Sequence, residues 1–108
     1  MQELSARELQ ALLASPQPPL LLDVRQPWEA QLARIAAEPQ RLIPMQELGR
    51  RWTELAGLAQ PIVCYCHHGM RSMQVVAFLS QQGMDSVYNL AGGIDAWSCE
   101  VDPTVPRY

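Results

Sequence analysis

A chain of 108 residues suffices for one compact domain that buries roughly 60–70% of its unfolded surface, and is too short for two domains that could each stand alone. Its apolar fraction of 48%, charged fraction of 18% and formal net charge of -3 are those of an ordinary soluble globular chain, not a disordered one. No run of cations is present to meet a nucleic-acid backbone or an anionic membrane. No apolar stretch is long enough to span a bilayer, and the residues from Met1 to Glu8 lack the basic start and apolar run of a signal peptide. Cys64, Cys66 and Cys99 are an odd set without disulfide-framework spacing, which points to a cytoplasmic, reducing setting and at least one free thiol.

Ser5 followed by Glu8 has the form of a capping box, and Leu9, Leu12 and Leu13 recur at helical spacing, so an amphipathic helix opens the chain. The stretch from Ser15 to Pro19 stops it. Leu20-Leu21-Leu22-Asp23-Val24 then reads as a short strand buried on both faces. Asp23 is the exception inside that run and needs a partner, either a loop backbone or Arg25. Pro27 suits a first helical turn, with Trp28, Leu32 and Ile35 as the buried face of a helix reaching Ala36. Arg41-Leu42-Ile43 is a brief strand, and Leu48, Trp52 and Leu55 share one side of a helix ending near Gly57.

Pro61 marks the entry to an apolar, β-prone strand, Ile62-Val63-Cys64-Tyr65. The spacing predicts a helix over Ser72 to Gln82, closed by Gly83, with Val75, Val76, Phe78 and Leu79 on its apolar face. Ser86 to Leu90 gives a last strand, Ala91-Gly92-Gly93 a turn and Ile94 to Trp97 a helical turn, after which a tail with Pro103 and Pro106 lies along the surface. Trp28, Trp52 and Trp97 read as core anchors. Strands alternating with helices predict a three-layer α/β/α domain around a mainly parallel sheet, with residues 1–108 as a single domain. Ligands of such sheets bind beyond the carboxyl ends of the strands, where the residues after Tyr65 must lie.

The segment from Cys66 to Arg71 joins a central strand to a helix. Successive backbone N–H groups of so short a loop turn inward and form an anion-binding nest around the sulfur. The N-terminus of the following helix and the charge of Arg71 add positive potential, which favours a nucleophilic thiolate. Gly69 supplies a backbone angle that other residues reach only with strain. Cys64 reads as a core residue. Cys64, Cys66, His67 and His68 lack the paired spacing of a metal site, so no metal is expected.

Three stretches resemble, in order, the signatures of the rhodanese family. Leu22-Asp23-Val24-Arg25 with Trp28-Glu29 is similar to its first-strand motif, Cys66-His67-His68-Gly69-Met70-Arg71-Ser72 to its active-site loop, and Leu90-Ala91-Gly92-Gly93-Ile94-Asp95-Ala96-Trp97 to its closing motif. The resemblance implies a sulfurtransferase that works without a cofactor. A donor such as thiosulfate leaves a persulfide on the catalytic Cys66, and a thiol or cyanide acceptor then removes the sulfur. His67, His68, Gly69, Met70, Arg71 and Ser72 would form the substrate-binding loop, with Asp23 and Arg25 in support. The alternative is a sulfur-relay module that receives sulfur from a protein partner and turns over small molecules poorly.

Phosphatase relatives of the same fold have a loop one residue longer, and only four residues separate Cys66 from Arg71, which disfavours phosphate chemistry. Two positions depart from the family pattern. Ala33-Arg34-Ile35 stands where members often show Gly-His-Ile, and His67 stands where many have Arg. The weaker positive charge at His67 favours a persulfide donor over the thiosulfate dianion.

Overall fold

The apolar run at residue 20 becomes a strand with all four residues buried, Leu20–Asp23, and the run at residue 62 another, Ile62–Tyr65. In the computed structural model, which describes residues 2–108 and leaves Met1 outside, the elements follow one another as β1 (Glu3–Leu4), α1 (Ala6–Leu13), β2 (Leu20–Asp23), α2 (Pro27–Leu32), β3 (Gln40–Leu42), α3 (Leu48–Arg51), β4 (Ile62–Tyr65), α4 (Met70–Gln81), β5 (Val87–Leu90) and α5 (Gly93–Glu100). The strands form one sheet in the order β1-β5-β4-β2-β3, and every pairing is parallel.

Because side chains alternate along a strand, β2 and β4 each feed two cores. Leu20, Leu22 and Cys64 pack with Leu48 of α3 and with Val75, Val76 and Leu79 of α4. Leu21, Val63 and Tyr65 pack on the opposite face with Leu9 of α1 and with Ile94 and Trp97 of α5. The result is the three-layer α/β/α architecture that the alternation of strands and helices implies. The opening helix begins at its capping box: the Glu8 N–H donates to Ser5 Oγ at 3.1 Å, and the Ser5 N–H to Glu8 Oε1 at 2.8 Å. No helix among the described residues is long and apolar enough to cross a membrane.

The structure corrects the sequence reading in several places. β1 was not anticipated; its two residues pair with Asn89 and Leu90 on β5, too short a match to leave a periodic trace. The helix starting at Pro27 stops at Leu32, because Ala33 turns to extended backbone with φ -161°. Its apolar residues also face outward: Trp28 is 59% and Leu32 53% exposed, whereas Glu29 is buried. Trp28 is therefore not a core anchor. The expected helix around residues 48–57 is broken into α3 and two flanking 3₁₀ turns, Met45–Glu47 and Trp52–Glu54.

The remaining corrections bear on the site. α4 starts at Met70, two residues earlier than the spacing indicates, so Arg71 lies in its first turn. α5 continues to Glu100, and the tail after it does not simply follow the surface. Val105 is buried, and the Ser98 hydroxyl donates to its carbonyl at 2.6 Å, and the chain returns far enough for Tyr108 to stack on His67 in the loop after β4.

Candidate active site

β4 ends one residue before Cys66, and α4 begins four residues after it. The connecting turn is possible because Gly69 caps α4 with φ +104°, and a Cβ there would also come within 3.3 Å of the Gly92 nitrogen. The first turn of α5 fixes the other side of the loop. Ile94 N–H donates to the Cys66 carbonyl at 2.9 Å and Asp95 N–H to the His67 carbonyl at 3.1 Å. Since a trans peptide points its N–H opposite to its C=O, this turns the His67 and His68 N–H groups away from α5. The approach needs glycine at position 93: a Cβ would lie 2.6 Å from the Cys66 carbonyl oxygen and run into that of His67.

Cys66 is 1% exposed, but its sulfur is not sealed in apolar packing. Sγ accepts the Gly69 N–H at 3.1 Å and the Ser72 N–H at 3.4 Å, and lies 3.3 Å from the Ser72 hydroxyl. Both amides belong to the N-cap and first turn of α4, where helical N–H groups have no partner within the helix and the dipole favours negative charge. Two amides, of Gly69 and Ser72, thus donate to the sulfur, in place of the expected run of successive N–H groups from the Cys66–Arg71 loop. Cys64 lies fully buried in the core, and burial pushes its thiol up to about 12, with a smaller contribution from Cys66.

Arg71 departs from the sequence expectation. Its guanidinium holds the buried Glu29 carboxylate through two bonds of 2.8 and 2.9 Å, the bidentate pairing that suits arginine. The Arg71 guanidinium, with help from the Gln26 backbone and Tyr108, lowers the Glu29 carboxyl to about 2 against the cost of its burial. Arg71 is thus paired with a carboxylate and does not stand as an uncompensated cation at the sulfur.

Asp23 and Arg25, expected to support the site, form a buried ion pair of their own, with contacts of 2.7 and 2.8 Å. Arg25 also donates to the Ala33 carbonyl at 2.8 Å and to the Tyr108 hydroxyl at 3.0 Å. That hydroxyl donates in turn to Glu29 at 2.8 Å. A polar chain thereby runs from β2 through the tail and α2 to α4. Tyr108 also stacks on the His67 ring with centroids 3.9 Å apart, and His67 stacks on His68 at 4.0 Å. Burial, followed by the neighbouring His68, lowers the His67 pKa, and its Nε2 is buried without a hydrogen-bond partner. His68 and Met70 are exposed at the rim.

Among the described residues, His67, His68 and Asp95 bring three donor atoms within 4.8 Å of one another, near enough to hold a metal. The imidazoles stack face to face instead of converging, and Arg107 already occupies the Asp95 carboxylate at 2.8 Å. The sequence reading assigned no role to Glu29, Tyr108 or Asn89. Asn89 left a signal of the kind noted at Asp23, a polar side chain inside an apolar strand. Tyr108 left none.

The model of the Rhodanese-like domain matches residues 5–100. The chain is 38% identical over 96 residues to a sulfurtransferase of Allochromatium vinosum, covering 89% of this chain and 87% of that protein. It is 37% identical over 91 residues to the Rhodanese-like/PpiC domain-containing protein 12 of Arabidopsis thaliana, covering 82% of this chain but only 30% of the plant protein's length. A rhodanese-related protein from Thermoplasma volcanium superposes over the whole of both chains, with a TM-score of 0.82 and 30% identity. The fold, the cysteine loop and these matches place the chain in the rhodanese-like domain family.

Proposed function

We propose that the chain is a sulfurtransferase that moves sulfane sulfur through a persulfide on Cys66. The observation that carries this reading is the convergence of two backbone N–H groups on one thiol beyond the end of a central strand. The name of the A. vinosum relative, sulfurtransferase, agrees with it. The Cys66 thiolate attacks the outer sulfur of the donor, a new S–S bond forms, and the donor's own S–S bond breaks. With thiosulfate, sulfite leaves with the electron pair. The outer sulfur, as Cys66-S-S⁻, carries negative charge that amide donors stabilise. A cyanide or thiolate acceptor then attacks that sulfur, leaves as thiocyanate or a new persulfide, and returns Cys66 to the thiolate. Neither step requires a cofactor. A reducing compartment such as the cytoplasm would keep Cys64, Cys66 and Cys99 free.

A second reading, a relay module supplied by a persulfidated protein, is favoured by one feature of the rim. Arg71 is neutralised by Glu29, and His67, with its pKa lowered, is uncharged near neutral pH. Little net positive charge remains to draw in a thiosulfate dianion, and a low-charge persulfide suits the site better. Thiocyanate production from cyanide, measured with thiosulfate and with a persulfide donor, tests both readings. Activity with either donor that is lost in Cys66→Ala supports sulfur transfer, and weak thiosulfate turnover beside rapid transfer from a persulfidated protein supports the relay. Activity that survives Cys66→Ala rejects the cysteine as the carrier.

A further inference from the structure

Behind Cys66 lies a chain of polar groups that the sulfur-transfer steps do not use. The Ser72 hydroxyl, 3.3 Å from Sγ, donates to its nearest acceptor, Asn89 Oδ1, at 2.5 Å, with the Gly69 carbonyl a more distant second acceptor at 3.3 Å. Asn89 Nδ2 donates to Glu3 Oε2 at 3.0 Å and to the Gly69 carbonyl at 3.3 Å. Both residues are buried, Ser72 at 0% and Asn89 at 1% exposure. The orientation of the Asn89 amide follows from this network: turning it over would aim its oxygen at two acceptors. Asn89 therefore presents a fixed acceptor to Ser72.

A hydroxyl has one proton to give. While that proton is committed to Asn89, Ser72 turns a lone pair toward Cys66, an arrangement that accepts a bond from S–H and opposes S⁻. To donate to a thiolate, Ser72 must release Asn89 Oδ1 and leave it unpaired in a buried site, which is costly. We infer that Asn89 is a positioning residue of this site: by dictating where the Ser72 hydroxyl points, it withholds that hydroxyl as a donor to a Cys66 thiolate and leaves the Gly69 and Ser72 amides to stabilise the sulfur. The inference rests on the reading of Cys66 as the nucleophile, but it concerns ionisation and not sulfur transfer.

The charged and titratable groups around the cysteine are Arg71 of α4 with Glu29 of α2, His67 and His68 of the loop, Tyr108 of the tail stacked on His67, Asp95 of α5 with Arg107, Cys64 of β4 and Glu3 of β1. Among these, Glu3 is the one that bonds to Asn89.

The test follows alkylation of Cys66 against pH, with the modified residue identified by peptide mass. The midpoint of the profile reports ionisation, whereas altered access changes only its plateau. In Asn89→Leu, which removes the acceptor and fills its space, the midpoint should fall by about one pH unit, a tenfold change in the thiolate-to-thiol ratio, as expected when a hydrogen bond to a charged sulfur is gained. The smaller change Asn89→Ala should act in the same direction and serves if Asn89→Leu does not fold. In a Ser72→Ala background, either change should leave the midpoint where Ser72→Ala alone puts it. A midpoint that does not move in Asn89→Leu or Asn89→Ala, or a fall that persists without the Ser72 hydroxyl, overturns the inference. Because no sulfur donor is present, this result stands apart from success or failure of the proposed transfer.

Discussion

At position 93 a single hydrogen in place of a side chain lets the first turn of α5 approach the Cys66 and His67 carbonyls closely enough to hold them. Gly93→Ala would force these carbonyls or the helix to move. It should cost on the order of 1–3 kcal/mol by overpacking alone, with strain at φ +61° added. The matching outcome is a lower urea midpoint together with reduced sulfur loading of Cys66; an alanine variant with unchanged stability and loading would show that the contact does not shape the loop. Cys64 is a contrasting case. It lies two residues from Cys66, yet full burial in the core and a thiol raised to about 12 suit it to packing.

At the scale of elements, α2 turns its polar face inward, and its buried Glu29 ties it to α4 through Arg71. The pH dependence follows from the sign of the shift. The Glu29 carboxyl falls from an ordinary 4.5 to about 2 in the folded chain, so the stability it contributes is present above pH 4.5 and is lost as the pH drops from there through about 2. Glu29→Gln should be less stable than the wild type near pH 7 by about 1–2 kcal/mol, a range reduced for the partial exposure of Arg71, and that gap should close toward pH 2. Urea unfolding at a series of pH values measures it. A gap that stays constant across the acid range would mean that the pair contributes no proton-linked stability.

The same helix shows where sequence reading succeeds and where it fails. β2, β4 and α4 were legible because their apolar residues recur at short, local intervals. The cysteine loop was legible because strand, cysteine, glycine and helix follow one another within a few residues. On α2, Trp28 and Leu32 have the spacing of a buried face, but the ion pair of Glu29 with Arg71, 42 residues away, sets which side faces inward. β1 and Tyr108 find their partners at similarly long range, and a local pattern holds no trace of such contacts.

Across the whole molecule, two cores meet at the central strands, and the cysteine loop after β4 lies where their layers converge. α4 supplies the amides that reach the sulfur, α5 holds the loop carbonyls, α2 neutralises Arg71 and the returning tail stacks Tyr108 on His67. The parallel sheet places all of these at the carboxyl ends of its strands. The most direct measurement is the intact mass of the protein after exposure to a sulfane-sulfur donor and removal of excess reagent. The account predicts an added mass of one sulfur atom, discharged by cyanide with release of thiocyanate and absent from Cys66→Ala. A wild-type protein that gains no sulfur from either thiosulfate or a persulfide, or an adduct that persists in Cys66→Ala, would contradict it.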